Sequence, residues 1–422
     1  MKLRWPSDWN ATRALLAACA LAYFYIGKIA FEPRLAFGVV SLNQILQIGI
    51  LVGLAAMLWC ADPGRMVRSR ALWLAAALAL LLAVRAIGAG NLAYSPVKPL
   101  GYLGLVIPCL ALIAASLRGA TDTRRFLYFW ALAGTGMMLL GVALLVSGHS
   151  PPRLGVFGGG SNGYARMVGT ALLLWIGLDA RFGARRGRIW LLALPGFALA
   201  LLFAGSKTAI VGLGVALTVL GLLNGNRKLV LGALAGTFLF VAAPMWAHTI
   251  VQRADKNRGE VRMFTAPDTD DPRGSYGTRI LFYRRSLQFL PKAGWLGAGT
   301  GEWHSVVGLP SGRRHPHNME LELGCELGLV GLAWLAVLLG VVGLWVRGLR
   351  GSQADRRLVG ALVAVFVFWL FNAQFNGDLL DNRWILLAAL LLEIVLSEQR
   401  AGAIRLRRAM PQASPLHPEV AR

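Results

Sequence analysis

The sequence predicts an all-α, polytopic membrane protein with about twelve transmembrane helices. Its 422 residues are 56% hydrophobic, and the mean hydropathy is +0.57. Only 15% of the residues are charged, whereas soluble domains have about a quarter. Apolar windows of about 20 residues, the length that crosses a bilayer core as a helix, recur along the chain. This composition excludes an ordinary soluble globular protein.

The apolar windows divide the chain into four parts. We predict transmembrane helices 1–9 over residues 1–247, a loop domain over 248–317, transmembrane helices 10–12 over 318–398 and a basic tail over 399–422. The predicted spans are 12–31, 36–60, 71–88, 99–117, 126–147, 163–180, 189–204, 208–223, 229–247, 318–346, 358–376 and 384–398.

The distribution of lysine and arginine orients these helices. With the N-terminus inside, the inside segments contain 24 basic residues, whereas the short outside loops contain only Arg34, Lys98, Arg153, Lys207 and Arg383. Basic residues favour the cytoplasmic side of a membrane, so we expect both termini in the cytoplasm. Topology then accounts for most of the formal net charge of +23, and nucleic-acid binding is not predicted.

The outer side holds the residues that suit chemistry. Five of the six histidines and the single long loop lie there under this topology, and long ordered loops between spans are usually functional. Within the loop, the stretch RILFYRRSLQFL has apolar residues at helical spacing and predicts an amphipathic helix in the membrane interface. We expect Arg284 and Arg285 on that helix to contact lipid headgroups.

The stretch RRHPHNMELELGCELGLVG, residues 313–331, places polar groups directly before an apolar helix. Pro316 suits a first helical turn, so we expect His315 near the N-cap and His317 and Asn318 in the first turn. The positive end of the helix dipole lowers the pKa of a histidine there and keeps the imidazole neutral. A neutral imidazole is the form that a general base requires.

Three glutamates follow in the same stretch. Glu320 lies three residues after His317, on the same helix face, and is expected to orient its ring. The alternative is that Glu320 and Glu322 only complement the positive end of the helix. Glu326 is expected deeper in the membrane. Placing a carboxylate there costs free energy, so its presence is taken to indicate a functional role.

Several cations lie near the outer ends of other helices. Lys207, in FAGSKTAIVG, lies close to a helix start at the outer surface, where an anionic phosphate is a natural partner. The alternative is an interfacial lysine that only reaches toward water. The residue order Gly-Ser-Lys-Thr differs from a P-loop, which excludes ATP binding there. Arg153 and Arg85 also lie near the outer side, and all three cations are candidates to bind one anion.

No cofactor or metal site is predicted. The four cysteines lack CxxC spacing, and no set of residues has the spacing of metal ligands. The Asp-x-Asp in PDTDDPRG has turn composition and lies outside, which favours a solvated loop. The stretch GWLGAGTGEW is a glycine-rich turn without the Gly-Lys-Ser/Thr of a nucleotide site.

These elements together resemble the O-antigen ligases. The resemblance rests on a polytopic frame with a large outer loop before a late helix, and on HPHNMELELGCELGLVG, with His-Asn before Glu-x-Gly-x-x-Gly. Residues 206–209 read Ser-Lys-Thr-Ala where the family has Ser-Arg-x-Ala, and residues 277–279 read Gly-Thr-Arg at a Gly-x-Arg element. In residues the resemblance covers roughly 150–335. Lysine at position 207 keeps the charge of the family arginine but loses bidentate phosphate binding.

The resemblance implies a GT-C-like, metal-independent, inverting glycosyltransferase in the bacterial inner membrane, with a periplasmic active face. It would move O-antigen polysaccharide from undecaprenyl diphosphate to lipid A–core oligosaccharide, without ATP, among membrane lipids. His317 would be the general base and Arg279 the second catalytic residue. Further residues for the diphosphate or the sugar are Lys207, Arg153, Arg85, His315, Asn318 and Glu320.

Other functions share some of these features. An O-antigen polymerase would use the same donor but would carry two large outer loops, where this chain has one. A protein O-oligosaccharyltransferase would differ only in its acceptor. A lipid-linked-sugar flippase or transporter would show repeated halves and broken helices near the midplane, and neither is visible in the sequence. A purely structural scaffold leaves Glu326 and the outer histidines unexplained.

Overall fold

The computed structural model describes residues 9–26, 36–37, 40–41, 45, 48–55, 64–90, 94–148, 154, 160–178, 192–254, 275–309, 315–348 and 356–409. Almost all of these residues are helical. The helices are α1 Trp9–Ile26, α2 48–55, α3 Gly64–Arg68, α4 Arg70–Ala86, α5 Val97–Gly101, α6 Ile107–Ser116, α7 Ala120–Val146, α8 Gly160–Leu178, α9 Leu194–Ala204, α10 Lys207–Leu223, α11 Arg227–Ala254, α12 Ser275–Ala293, α13 Trp303–Val306, α14 Met319–Arg347, α15 Arg356–Ala373 and α16 Trp384–Ala409. A π-helical turn, Tyr102–Val106, joins α5 to α6.

The helices confirm the predicted helical architecture. Within the described residues, four are long and apolar enough to cross a membrane: Val97–Ser116, Ala120–Val146, Met319–Arg347 and Arg356–Ala373. Shorter apolar helices cover Arg13–Phe24, Leu194–Ala204 and Lys207–Leu223. These helices support a polytopic membrane protein, while twelve crossings remain a prediction.

One predicted span differs from the structure at its start. Residues 36–60 were expected to form one helix, but Ala36–Phe37 (β1) and Val40–Ser41 (β2) form a short antiparallel hairpin, and α2 begins later. Hydropathy alone cannot separate a short apolar strand from a buried helix segment.

Helix α15 lies at the centre of the bundle, in contact with α8, α10 and α16. Trp384, at the start of α16, stacks on Trp130 and Trp369 with ring centroids 5.2 and 5.3 Å apart, and it meets Phe24 edge to face at 5.2 Å. All four rings are buried. Aromatic packing therefore joins α1, α7, α15 and α16, and it holds the connection between α15 and α16 inside the protein.

Carboxylates of α16 cap two other helices. Glu393 accepts hydrogen bonds from the main-chain N–H of Arg70 and Ala71 and from the Ser69 hydroxyl, at 2.8 to 3.1 Å. Glu398 accepts from the N–H of Ala120 at 2.6 Å. The first N–H groups of a helix have no partner within the helix, so these carboxylates stabilise the starts of α4 and α7.

A glycine-rich turn, residues 294–301, fills a break in α14. Gly328 has φ 64° and ψ −149°, which interrupts the helix. Main-chain N–H groups donate from Ala298 to Cys325, Gly299 to Glu326, Leu329 to Gly294 and Val330 to Trp295, at 2.8 to 3.1 Å. The turn thus satisfies the polar groups that the break would leave unpaired inside a membrane protein.

The same turn reaches α4. Thr300 donates from its main-chain N–H to the carbonyl of Arg85 at 3.0 Å and from its hydroxyl to the carbonyl of Leu82 at 2.8 Å. Arg85 in turn donates from Nη2 to the carbonyl of Gly297 at 3.0 Å. The turn therefore ties the C-terminal end of α4 to the broken part of α14.

Lys98 of α5 lies between two glutamates of α14. Its Nζ donates to both carboxylate oxygens of Glu326 at 2.6 Å and forms an ion pair with Oε1 of Glu322 at 2.5 Å. The two glutamates are four residues apart and share one helix face. All three side chains are at most 1% exposed. The ion pair gives Glu326, the glutamate expected deep in the membrane, a buried partner, and it fixes the N-terminal part of α14 against α5.

Two cations expected in short outside loops are buried. Lys98 lies in α5 rather than in a loop and is 1% exposed, whereas Arg383 does lie in the connection before α16 but is only 4% exposed. Arg383 donates to the carbonyls of Phe24 and Leu380 at 2.5 and 2.8 Å. Charge counting assigns a residue to one side of the membrane, but it does not report whether packing covers the side chain.

Substitution Gly328→Ala is expected to destabilise the protein by about 2 kcal/mol or more, because alanine at positive φ costs about 1–2 kcal/mol and its Cβ would lie 2.5 Å from the Gly297 nitrogen. The measurement is the thermal unfolding midpoint in detergent. The matched control is Gly340→Ala in the same helix, where an added Cβ meets nothing within 4 Å. Alanine there favours the helix, so an equal loss in both variants would contradict the analysis.

Substitution Lys98→Met is expected to destabilise the protein by about 3–5 kcal/mol, because it leaves two buried carboxylates without their cation. The triple variant Lys98→Met/Glu322→Gln/Glu326→Gln should recover most of this loss, since it removes the charges together. Thermal unfolding in detergent checks both.

The control for the lysine variant is Lys292→Met, at an exposed position in the last turn of α12. Its stability should change by about 0.5 kcal/mol or less. Unfolding of Lys98→Met at the temperature of the wild type would show that the ion pair does not hold α14.

Candidate functional site

The His-Pro-His-Asn segment ends in the N-cap of α14. Asn318 has extended backbone angles, φ −145° and ψ 122°, and its Oδ1 accepts a hydrogen bond from the N–H of Leu321 at 2.8 Å. The prediction that the helix begins at Pro316, with His317 and Asn318 in its first turn, is therefore wrong, and the N-cap is Asn318 rather than a residue near His315. Asparagine is a strong N-cap, and α14 begins only after it.

His317, the residue before this N-cap, has a strained backbone. Its φ is +60°, and among the residues that the structure describes it is the only non-glycine residue with positive φ. Histidine adopts this region more readily than most residues. Strained backbone persists only where the surroundings enforce it, and it clusters at functional sites.

The imidazole of His317 is held by two neighbouring rings. Nε2 of His315 lies 3.1 Å from Nδ1 of His317, and the two ring planes are nearly perpendicular, at 83°. Phe282 of α12 lies nearly parallel to the His317 ring, with centroids 6.4 Å apart. Glu320 is exposed and makes no hydrogen bond within the described part of the chain. His315, and not Glu320, is thus in the position to orient the ring.

Gln374, just after α15, binds the elements that carry His317. Its carbonyl accepts from the Tyr283 hydroxyl at 2.9 Å and from Asn318 Nδ2 at 3.2 Å, and its side-chain oxygen accepts from the same Nδ2 at 3.2 Å. Tyr283 also lies 3.4 Å from the carbonyl of His317. Burial raises the pKa of Tyr283 and outweighs the charge of Arg279, which lowers it, so this hydroxyl remains a donor.

Asn376, two residues further, binds three other elements. Its Oδ1 accepts from Nη2 of Arg279 at 3.2 Å and from Nδ2 of Asn162 at 3.0 Å, and its Nδ2 donates to the hydroxyl of Thr208. Arg279 belongs to the Gly-Thr-Arg element and Thr208 to the Ser-Lys-Thr-Ala element of the sequence. A single buried amide therefore joins motifs that lie about 70 residues apart in the chain.

Three helix N-termini meet at residues 374–376. Asn162 is the third residue of α8, Thr208 is the second residue of α10, and Asn318 is the N-cap of α14. Each helix N-terminus carries partial positive charge and N–H groups without partners in the helix. Their convergence makes this end of the bundle a favourable place for an anion.

Two side-chain cations add to this positive field. Lys207 is the first residue of α10, next to Thr208, and it is exposed, with no hydrogen bond or ion pair in the described part of the chain. Arg279 is half-buried and lies four residues before Tyr283, on the same face of α12. Residues four apart on a helix are about 5–6 Å apart at Cβ. Arg279 therefore lies close to Tyr283 and, through it, to His317.

The remaining predicted cations are placed differently. Arg85 binds the glycine-rich turn 294–301 through Gly297 and has no contact with Asn376 in the described structure. Arg153 lies outside the described residues. Arg284 is exposed. Nη1 of Arg285 donates to the carbonyls of Val307 and Gly308 at 3.0 and 2.8 Å, and contact of either arginine with lipid headgroups stays a prediction.

Sequence analysis missed the connection between α15 and α16, residues 374–383. Asn376, Asp381 and Asn382 are 2%, 8% and 3% exposed although they lie in a loop. Nη1 of Arg166, in α8, lies 3.3 Å from Oδ1 of Asn382. The available signal was the composition QFNGDLLDNR, which is too polar for a short connection between two apolar helices. Buried polar groups need partners, so such a segment is expected to contact other polar elements.

The described residues contain no group of three or more His, Cys, Asp or Glu side chains arranged to hold a metal ion. The chemistry that the arrangement supports is proton transfer at His317 and binding of an anion near Arg279 and Lys207.

Comparison with known proteins agrees with the motifs in this site. Residues 190–336 match the protein family described as O-Antigen ligase. The match includes Lys207, Arg279, His317 and Asn318, and it confirms the resemblance over that range. No curated protein and no solved structure matches the chain.

Proposed function

We propose, from the O-antigen ligase domain over residues 190–336, that this protein is a membrane glycosyltransferase. It transfers O-antigen polysaccharide from undecaprenyl diphosphate to a hydroxyl of lipid A–core oligosaccharide. The reaction takes place on the periplasmic face of the bacterial inner membrane, in a GT-C-like helical frame. The observation that carries the proposal is the convergence of three helix N-termini with Arg279 and Lys207 beside His317.

The cationic part of the site suits a diphosphate. Arg279 presents a guanidinium held at Asn376, and Lys207 presents an ammonium at the start of α10. Groups that are charged and held in place stabilise the negative charge that develops on a leaving phosphate. The leaving group is undecaprenyl diphosphate. It is already an anion and needs no protonation by the protein.

The histidine pair suits deprotonation of the acceptor. Nδ1 of His317 faces Nε2 of His315 at 3.1 Å. For His317 to act as the base, Nδ1 must carry the proton and donate to His315, so that Nε2 of His317 is the nitrogen that accepts the proton of the acceptor hydroxyl. His315 then acts as a positioning residue that selects this tautomer, as the third group does in other catalytic triads.

In the proposed step, the acceptor oxygen attacks the anomeric carbon of the first sugar of the polysaccharide. A new carbon–oxygen bond forms as the bond between the anomeric carbon and the diphosphate oxygen breaks. The hydroxyl proton moves to Nε2 of His317, and the electron pair of the broken bond stays with the diphosphate. Asn318 supports this geometry as the N-cap of α14, because it fixes the backbone next to His317.

The acceptor distinguishes the ligase from its relatives. A polymerase of the same donor class would extend the polysaccharide itself, and a protein O-oligosaccharyltransferase would use a protein hydroxyl. The single long loop between the ninth and tenth predicted spans favours the ligase over the polymerase.

Substitution His317→Ala is expected to reduce transfer by about 10²- to 10⁴-fold, the contribution of a general base, and to leave donor binding intact. The assay uses purified protein with lipid-linked polysaccharide and lipid A–core in vesicles, without ATP. Transfer is followed by gel mobility of the product, and donor binding is measured separately.

The control for this variant is His304→Asn, because His304 is in α13 and has no contact with residues 374–376. It should transfer at a rate within a few-fold of the wild type. Full transfer activity of His317→Ala would exclude His317 as the general base. Polysaccharide growth without lipid A–core would indicate a polymerase, and donor movement across vesicles without transfer would indicate a transporter.

Direct attack by the acceptor is expected to invert the anomeric configuration between donor and product. NMR coupling constants of the new glycosidic linkage, compared with those of the donor, measure this. Retained configuration would contradict a single in-line displacement by the acceptor and would overturn the proposed step.

A further inference from the structure

We propose that Asn376 is a positioning residue for the donor diphosphate, acting through Arg279. The inference rests on the proposed function, since the diphosphate is the anion that Arg279 would bind. Asn376 lies outside the family match at residues 190–336, in the polar connection between α15 and α16. It holds Arg279 and the starts of α8 and α10 in one arrangement, and it adds no charge of its own.

The side chain of Asn376 uses each of its hydrogen-bonding groups on a different element. Its Oδ1 accepts from Arg279 at 3.2 Å and from Asn162 at 3.0 Å, while its Nδ2 donates to Thr208. The residue is 2% exposed. A buried side chain with these partners has one orientation, so it restricts the guanidinium of Arg279 to one position on the outer end of α12.

The neutral charge of the amide is the feature that distinguishes positioning for an anion from simple packing. An aspartate at position 376 has nearly the same shape. Its carboxylate could accept from Arg279 and Asn162, and it could also accept from Thr208, because a hydroxyl rotates to donate or accept. The contacts would remain, and the bond to Arg279 would become a charge-assisted one.

The same change would oppose donor binding. A carboxylate beside Arg279 would neutralise much of the guanidinium charge that a diphosphate needs, and it would repel the diphosphate directly. A role limited to holding the helices together would tolerate the aspartate. A role in presenting Arg279 to an anion would not.

Three acidic residues of neighbouring elements have partners of their own in the described part of the chain. Glu322 and Glu326 are paired with Lys98, and Asp378 accepts from the Tyr94 hydroxyl at 3.2 Å. Oδ1 of Asp378 also accepts from the N–H of Asp381 at 2.8 Å. The contact that Asn376 itself makes with Arg279 carries no negative charge.

The test compares Asn376→Asp with the wild type in binding two lipids. The probes are undecaprenyl diphosphate, the proposed product, and undecaprenol, which has the same chain without phosphate. We expect Asn376→Asp to weaken binding of undecaprenyl diphosphate about tenfold or more and to leave undecaprenol binding unchanged. In the transfer assay kcat/KM for the donor should fall about tenfold or more, because Arg279 acts both in binding the diphosphate and in stabilising the charge on the leaving group, while the KM for lipid A–core should change by about threefold or less.

The matched control is Asn226→Asp, which makes the same substitution at the opposite end of α10. Asn226 is exposed, and its Oδ1 accepts from the N–H of Leu229, a bond that aspartate retains. This variant should bind both lipids like the wild type. A loss equal to that of Asn376→Asp would assign the effect to net charge and would overturn the inference.

A double-mutant cycle with Arg279→Ala tests whether Asn376 acts through Arg279. If it does, Asn376→Asp should weaken undecaprenyl diphosphate binding much less in the Arg279→Ala background than in the wild type. Equal losses of diphosphate binding in the two backgrounds would show that Asn376 does not act through Arg279. Should Asn376→Asp fail to fold, Thr208→Val removes the partner of the Asn376 amide without adding charge, and it should weaken diphosphate binding several-fold. Unchanged binding would contradict the proposal.

The binding and transfer results together distinguish failure of the proposed function from failure of the role proposed for Asn376. A wild-type protein that binds both lipids equally and transfers no polysaccharide would refute the proposed function. A wild type that prefers the diphosphate, with Asn376→Asp binding it equally well, would refute only the role of Asn376.

Discussion

The buried contact of Lys98 with Glu322 and Glu326 is the interaction on which the geometry of the candidate site depends. It joins α5 to the first and third turns of α14, close to the N-cap that directly follows the histidine pair. Because all three side chains are excluded from water, a displaced helix would leave charges unpaired at a cost of several kcal/mol. The position of His317 therefore depends on two contacts. The ion pair of Lys98 with Glu322 and Glu326 holds α14, and the aromatic rings of α12 pack beside the histidine.

The break at Gly328 works together with this contact. A continuous α14 would have no free carbonyl at Cys325 or Glu326 for the glycine-rich turn to bind. The turn uses these carbonyls and ties α14 to the C-terminal end of α4 through Thr300. The segment of α14 before the break is thereby held rigidly, apart from the longer segment after it. The general base proposed at His317 would require such rigidity, since reacting atoms must be held within a fraction of an ångström.

The charges of the protein fall into two groups with different surroundings. Lys98, Arg166 and Arg383 are buried and hold the bundle together through carboxylates, carbonyls and aromatic rings. Lys207 is exposed and Arg279 is half-buried, and both lie where helix N-termini converge. This separation gives a bundle that is stable in its interior and positive at one end, the distribution that a lipid-linked diphosphate would require.

The sequence by itself determined the helices and the chemical groups. Apolar windows set α4, α10 and α15 within a few residues, because the length and period of a membrane helix are local properties. The His-Asn and Gly-Thr-Arg elements were also visible, since each motif is a short run of residues. The tertiary structure alone decided which groups meet. The pairing of Lys98 with Glu326 spans 228 residues and the contact of Arg279 with Asn376 spans 97, and such contacts depend on how helices pack. The contact of Asn318 with Gln374, which holds the start of α14 against the end of α15, is likewise absent from any local pattern.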